Sequence, residues 1–201
     1  MRVISEESQT TARVATGETQ TALNEPDITN ELGAKSAIKR NNLIYLLISI
    51  GIIALDQITK YLIRANLEYG EIWHITPKFI WITYVRNTGA AFSFSFGSDG
   101  LNKMIFITVS IIATIILVYL IMKTKSRLEL ISYSLILGGA VGNLIDRIFI
   151  GSVTDFIWCD FPDVIMRRWP VFNVADSSIV VAITLMIIFT LFFNKQPSED
   201  K

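Results

Sequence analysis

Apolar residues gather into four long blocks along this chain, and the few polar residues inside those blocks are unevenly placed. The blocks run roughly Leu43 to Ile63, Met104 to Met122, Leu130 to Ile150 and Val174 to Phe193. Each is close to the ~20 residues that a helix rising 1.5 Å per residue needs to cross ~30 Å of hydrocarbon, so the pattern predicts four transmembrane helices. Only the second is free of strongly polar interruptions, which predicts a lipid-facing support. The others carry Asp56 and Lys60, then Asn143, Asp146 and Arg147, then Asp176. Ionisable groups are costly in lipid, so these side chains are expected to face one shared wet or paired interior.

Between the first two blocks the period changes. Lys78 to Val85 reads as a strand, Asn87-Thr-Gly89 as a turn, and Phe92, Phe94 and Phe96 alternate with Ser93 and Ser95 as in a half-buried second strand. The expectation is a small outward-facing β-hairpin or sheet platform, with Trp73 and Trp81 as anchors at the membrane interface. Residues 1–42 are polar, without apolar period, and are expected to form a disordered cytoplasmic tail. They lack the basic start and immediate apolar run of a cleavable signal peptide. Residues 43–193 are then a membrane domain, with its extracytoplasmic β segment at about 67–101, and residues 194–201 a second cytoplasmic tail.

Lys35, Lys39 and Arg40, together with Lys123, Lys125 and Arg127, predict that both termini are cytoplasmic; Arg64, Lys78, Arg86, Lys103, Arg167 and Arg168 on the other side weaken that bias. In this orientation the intramembrane polar residues fall toward the outer ends of their helices, which points to one site near the outer leaflet.

Composition supports the membrane reading: 51% of the 201 residues are hydrophobic and the mean hydropathy is +0.47. Eighteen basic and eighteen acidic residues leave no net charge, hence no electrostatic pointer to nucleic acid. One cysteine, Cys159, excludes an internal disulfide or CxxC site and reads as a small filler; one histidine, His74, excludes multi-His zinc and reads as an interfacial polar residue.

Three constellations remain. Asp56 and Lys60 are four apart, the spacing of a helical ion pair that can also shape a site. Gly138-Gly-Ala-Val-Gly142 offers a flat groove for close helix approach. Beyond it Asn143, Asp146 and Arg147 share a face, fit either to bind a peptide backbone or to form a structural clasp. Asp155 and Asp176, 21 positions apart at the edges of apolar stretches, can be brought together by the returning chain. Two neighbouring carboxylates share one proton and can supply an acid and a base together. A proton-coupled transporter, a metal-dependent lipid-phosphate enzyme using Asp155, Asp176 and Asp146, and a non-enzymatic packing scaffold remain as rival readings.

Asp56-Gln-Ile-Thr-Lys60, Asn87-Thr-Gly-Ala-Ala-Phe92, Gly139-Ala-Val-Gly-Asn143-Leu-Ile-Asp146-Arg147, Val153-Thr-Asp155-Phe156 and Phe172-Asn173-Val-Ala-Asp176 together resemble the bacterial lipoprotein signal peptidases, signal peptidase II. The resemblance covers about Leu43 to Phe193, in order. It implies an intramembrane aspartic endopeptidase of the bacterial inner membrane, multi-pass and monomeric, that cuts prolipoproteins before a diacylglyceryl-modified cysteine. Carried over residue by residue, it implies Asp155 and Asp176 as the catalytic dyad and Asn143, Arg147 and Asn173 as holders of the substrate. Asn87 and Gly89 fall in a platform over the dyad, and Asp56, Lys60 and Asp146 support the site. No cofactor or metal is implied; the partners are lipidated precursors and membrane lipid, not nucleic acid. The long polar tail departs from the family pattern. Asp160 and Asp163 lie in no matching motif and are assigned to a solvated loop, with Arg167 and Arg168 pairing with them or with lipid headgroups.

Overall fold

The computed structural model describes residues 42–76, 79–89, 98–159 and 169–192, all within the compact unit Lys39–Lys201. Four helices long and apolar enough to cross a membrane are present: α1 (Leu46–Asn66), α2 (Asp99–Lys123), α3 (Arg127–Phe149) and α4 (Val174–Phe192). Three strands, β1 (Ile72–His74), β2 (Ile80–Asn87) and β3 (Val153–Cys159), form one antiparallel sheet in the order β1-β2-β3. The expected α-helical membrane fold with a small sheet is therefore what the chain adopts. The tails, the Phe92 to Phe96 strand, Lys78 and the Asp160 to Arg168 loop lie outside the described residues.

Helix α3 is the hub, packing against all three other helices. Its buried face changes character along its length. Leu130 and Leu137 meet Leu117 and Ile121 of α2 in an apolar core near the α2–α3 turn. Gly138, Gly139 and Gly142 come next, and Asn143 and Asp146 occupy the end that carries the sheet. A Cβ on Gly139 would run into the carbonyl oxygen of Ala175 on α4, and one on Gly142 would lie 2.7 Å from Asp56 Oδ2 on α1. The glycines thus let two helix backbones approach the third closely enough for polar groups to meet, as their spacing predicts. Helix α2 is the least buried of the four and exposes Met104, Val109, Ile112 and Ile115, consistent with its expected role as a lipid-facing support.

The sheet solves the problem of returning the chain. Helix α3 ends at Phe149 with Ile150 as its C-cap, and Gly151 takes φ +89°, the left-handed conformation that glycine adopts without steric cost. The chain then reverses into β3. Sequence reasoning did not foresee β3, and it found only part of the sheet: β2 pairs with β1 on one side and with β3 on the other. Phe172, just before α4, makes an isolated bridge with Ile157, donating and accepting at 3.0 and 2.7 Å, and so ties the start of α4 to β3. Trp81, expected as an interface anchor, is also packed within the sheet. Its ring is T-stacked on Trp158 at 4.7 Å and on His74 at 5.2 Å, within the sheet's own side-chain layer, while Trp73 is exposed and donates to Glu71.

Packing through the glycines predicts a contrast. Gly139→Ala should destabilise the purified protein in detergent by about 1–3 kcal/mol, the usual cost of overpacking. Gly51→Ala, whose Cβ would meet nothing within 4 Å, should be neutral or stabilising. Equal melting temperatures for the two variants would contradict close α3–α4 contact as the organising feature.

Candidate active site

The site is built around the buried N-terminus of α4. A helix start presents backbone N–H groups with no partner in the helix and a partial positive charge, both costly to bury unmatched. Here carboxylates and amides meet them. Asp176 N donates to Asn173 Oδ1 at 2.9 Å and Asn173 N donates to Asp176 Oδ2 at 3.3 Å, a reciprocal capping box with aspartate in the third position. Ala175 N donates to Asp56 Oδ1 of α1 at 3.0 Å. Asp56 therefore lies midway along α1 rather than at its end, because α1 continues to Asn66.

Asp155 arrives from β3. Val85 pairs with Asp155 and Asn87 with Val153, so Asn87 and Asp155 are diagonal neighbours on one face of the sheet. Asn87 Nδ2 donates to Asp155 Oδ2 at 3.1 Å, and Asn173 Nδ2 donates to Asp155 Oδ1 at 2.7 Å. Asn173 thus bonds both carboxylates, one through its amide and the other through its backbone. Asn143 Nδ2 donates to the remaining Asp176 oxygen at 2.8 Å. Its orientation is not arbitrary: Lys60 can only donate, and its Nζ lies 2.9 Å from Asn143 Oδ1, which leaves the Asn143 NH₂ free to face Asp176.

Beneath this layer Lys60, fully buried, bonds Asp56 at 2.8 Å and lies 3.5 Å from Asp146. Asp146 also accepts from Thr154 N at 2.8 Å and lies 3.6 Å from Arg64. Arg147 reaches Gly89 O at 3.3 Å with its guanidinium over the Phe106 ring. Gly89 N in turn donates to Asn87 Oδ1 at 3.0 Å, which fixes the Asn87 amide. Asp155 and Asp176 both open onto a cavity of about 890 Å³ whose walls include Asn87, Gly89, Asn143 and Arg147. Burial and then the adjacent Asp176 carboxylate push the Asp155 carboxyl up to about 7, against the donors Asn87 and Asn173 and the charge of Lys60. Every site residue expected from the sequence belongs to this one network.

Residues 48–192 match the family model for Signal peptidase (SPase) II. The chain belongs to the signal peptidase II family. It is 41% identical over 156 residues to the lipoprotein signal peptidase of Serratia marcescens, spanning 75% of this chain and 88% of that one. To the lipoprotein signal peptidase of Enterococcus faecalis it is 38% identical over 161 residues, spanning 79% and 94%. A bacterial membrane enzyme solved by the in meso method at 2.3 Å superposes with a TM-score of 0.66 at 34% identity, covering 79% of this chain and 94% of that one. The chain is thus a multi-pass membrane peptidase that removes signal peptides from prolipoproteins.

Three residues of the peptidase's network escaped sequence reasoning. Gln57 Nε2 bridges Asp56 Oδ2 and Gly142 O at 3.1 and 3.0 Å. Arg64 Nη1 donates to Thr154 Oγ1 at 3.0 Å. The signal for Arg64 was present, since Asp56, Lys60 and Arg64 recur every four residues along one face of α1. Asp146, already engaged by Lys60, Arg64 and Thr154 N, is not available as a metal ligand beside the dyad, which removes the basis of the lipid-phosphate alternative.

Two acids, Asp56 and Asp146, are thereby matched by two bases, Lys60 and Arg64. Removing one member of a buried set leaves an uncompensated charge, at a cost of about 3–5 kcal/mol. Lys60→Met should lower stability by that order, and Lys60→Met with Asp56→Asn should recover much of it, since Asn can still accept from Ala175 N. Melting curves in detergent read the difference; a double variant no more stable than the single one would mean that charge balance is not what Lys60 supplies.

Proposed function

We propose that Asp155 and Asp176 are the catalytic pair and that they act on the peptide bond before a diacylglyceryl-modified cysteine. The observation that carries this is Asn173 bonding both carboxylates, at 2.7 and 3.3 Å, at the wall of a cavity large enough for an extended peptide. Held this close, the two carboxyls keep one proton between them and titrate as a unit. Asp176 sits at the α4 N-terminus, where the helix dipole favours negative charge by roughly 0.3 to 1 kcal/mol, and serves as the base. Asp155, raised to about 7, serves as the acid.

In the proposed reaction Asp176 takes a proton from water as its oxygen attacks the scissile carbonyl carbon, and Asp155 donates its proton to the carbonyl oxygen. The resulting gem-diol collapses; a proton passes to the departing nitrogen and the C–N bond breaks. Arg147 and Asn143, which line the cavity, hold the substrate backbone, and Asn87 and Gly89 form the platform over the dyad; Asn173, expected from the family resemblance to hold substrate, is fully buried off the cavity wall and acts by holding the two carboxyls. Asp56, Lys60 and Asp146 keep these groups in place. The apolar cavity wall of Ile179, Val180 and Val181 accepts the lipidated segment.

The domain scheme follows: residues 43–193 form the peptidase, flanked by cytoplasmic tails, in the bacterial inner membrane with the site near the outer leaflet. The monomer is the unit of this proposal.

Purified protein given lipidated and unlipidated precursor peptides, with and without EDTA, should cleave the lipidated peptide in both conditions. Asp155→Asn and Asp176→Asn should each abolish cleavage while the protein accumulates normally in the membrane; retained activity in either variant would end the dyad assignment. The dyad needs Asp155 protonated, so kcat/KM should fall as pH rises through about 7. Asn87 donates to the ionised form of Asp155 and lowers its pKa, so Asn87→Leu should move that basic limb upward, by about one unit if ~1.4 kcal/mol of selective bonding is lost. A limb that stays or moves down contradicts the assignment of Asp155 as the acid.

A further inference from the structure

Resting on that reading, we propose that Arg64 is a positioning residue that fixes Asp155 through Thr154. Arg64 lies in the last turn of α1, outside every motif that marks the family, and its side chain is 24% exposed. It spans from α1 to two other elements, donating to Thr154 Oγ1 of β3 at 3.0 Å and lying 3.6 Å from Asp146 Oδ1 of α3.

Thr154 directly precedes Asp155, and each of its polar groups is held. Its N–H donates to Asp146 Oδ2 at 2.8 Å, its carbonyl accepts from Asn173 Nδ2 at 3.3 Å, and its hydroxyl accepts from Arg64. Successive side chains of a strand point to opposite faces, so Arg64 grips the rear of β3 while the front presents Asp155 to the cavity. Pairing with β2 and the bonds to Phe172 O hold the backbone of β3, and Asn87 and Asn173 hold the Asp155 carboxyl from the front. The β2–β3 register shifts between Ile82 and Val85, beside the position where Asp155 is paired, so the ladder is least regular there. The Arg64 bond adds a restraint from the rear face at that point. The guanidinium suits the task because its planar fork serves the hydroxyl and the Asp146 carboxylate at once.

Reaction geometry is sensitive to such a restraint, since a misplacement near 1 Å costs on the order of a hundredfold in rate. Arg64→Gln should lower kcat by roughly three- to tenfold, a part of that, with KM changed less than about twofold. Thr154→Val keeps both backbone bonds and the side-chain volume but removes the acceptor, and should give the same loss. Thr154→Ser keeps the hydroxyl and should retain the parental kcat. The decisive comparison is Arg64→Gln combined with Thr154→Val, which should fall no further than Arg64→Gln alone: that single variant already lacks both the Thr154 bond and the Asp146 contact, so Thr154→Val has nothing further to remove.

A double variant whose loss is the product of the two single losses, or an unchanged kcat in both single variants, overturns the proposal. So does an Arg64→Gln effect that appears only as a lower melting temperature. Asp155→Asn run alongside separates the two levels: activity there would sink the dyad reading itself, whereas a dead Asp155→Asn with a fully active Arg64→Gln sinks only the role of Arg64.

Discussion

The structure depends on one constraint: the first turn of α4 is buried, and its polar backbone must be matched inside an otherwise apolar bundle. Asp56, Asn173 and Asp176 meet three of its N–H groups. That solution brings negative charge into the bundle, and the remainder of the network follows from it. Lys60 and Arg64 compensate Asp56 and Asp146, Asn143 transmits the Lys60 contact to Asp176, and Asn173 joins α4 to β3. Glycines on α3 make these contacts possible, because a side chain at Gly142 would occupy the place of the Asp56 carboxylate.

Among the described ionisable groups of the site, the cluster below the dyad is balanced, two acids against two bases. Above it Arg147 faces Asp155 and Asp176, while Arg86 at the cavity wall is exposed and held against Tyr84. A dyad holding one proton carries a single negative charge, which the part-buried guanidinium of Arg147 balances; a fully ionised dyad would have to draw on the solvent-exposed Arg86. Charge balance and the raised affinity of Asp155 for its proton therefore point the same way. The catalytic state proposed for the pair is also the state that buries the least uncompensated charge.

Much of this was legible in the sequence because membranes restrict the alternatives. An apolar block of about 20 residues has few fates, and an acid inside it must find a partner. Hence the four helices, the shared polar interior and the convergence of Asp155 with Asp176 could be read before any geometry. β3 was not legible, since Val153-Thr-Asp-Phe-Ile-Trp-Cys159 is a buried edge without clean alternation, and its pairing with β2 joins residues some 70 positions apart. The depth of Asp56 was misread because the apolar pattern of α1 fades at Arg64 while the helix continues to Asn66. Arg64 and Thr154 were passed over for a related reason: neither carries chemistry alone, and their meaning lies in what they jointly hold.

The central claim is that the two aspartates share one proton at neutral pH, with the proton on Asp155. Infrared difference spectra of the purified protein, recorded across a pH titration, test this without recourse to activity. The account predicts a protonated carboxyl band that is lost as pH rises through about 7, is absent in Asp155→Asn and does not vanish for want of folded protein. A parental protein with no such band at neutral pH, or a band that persists unchanged in Asp155→Asn, would contradict it.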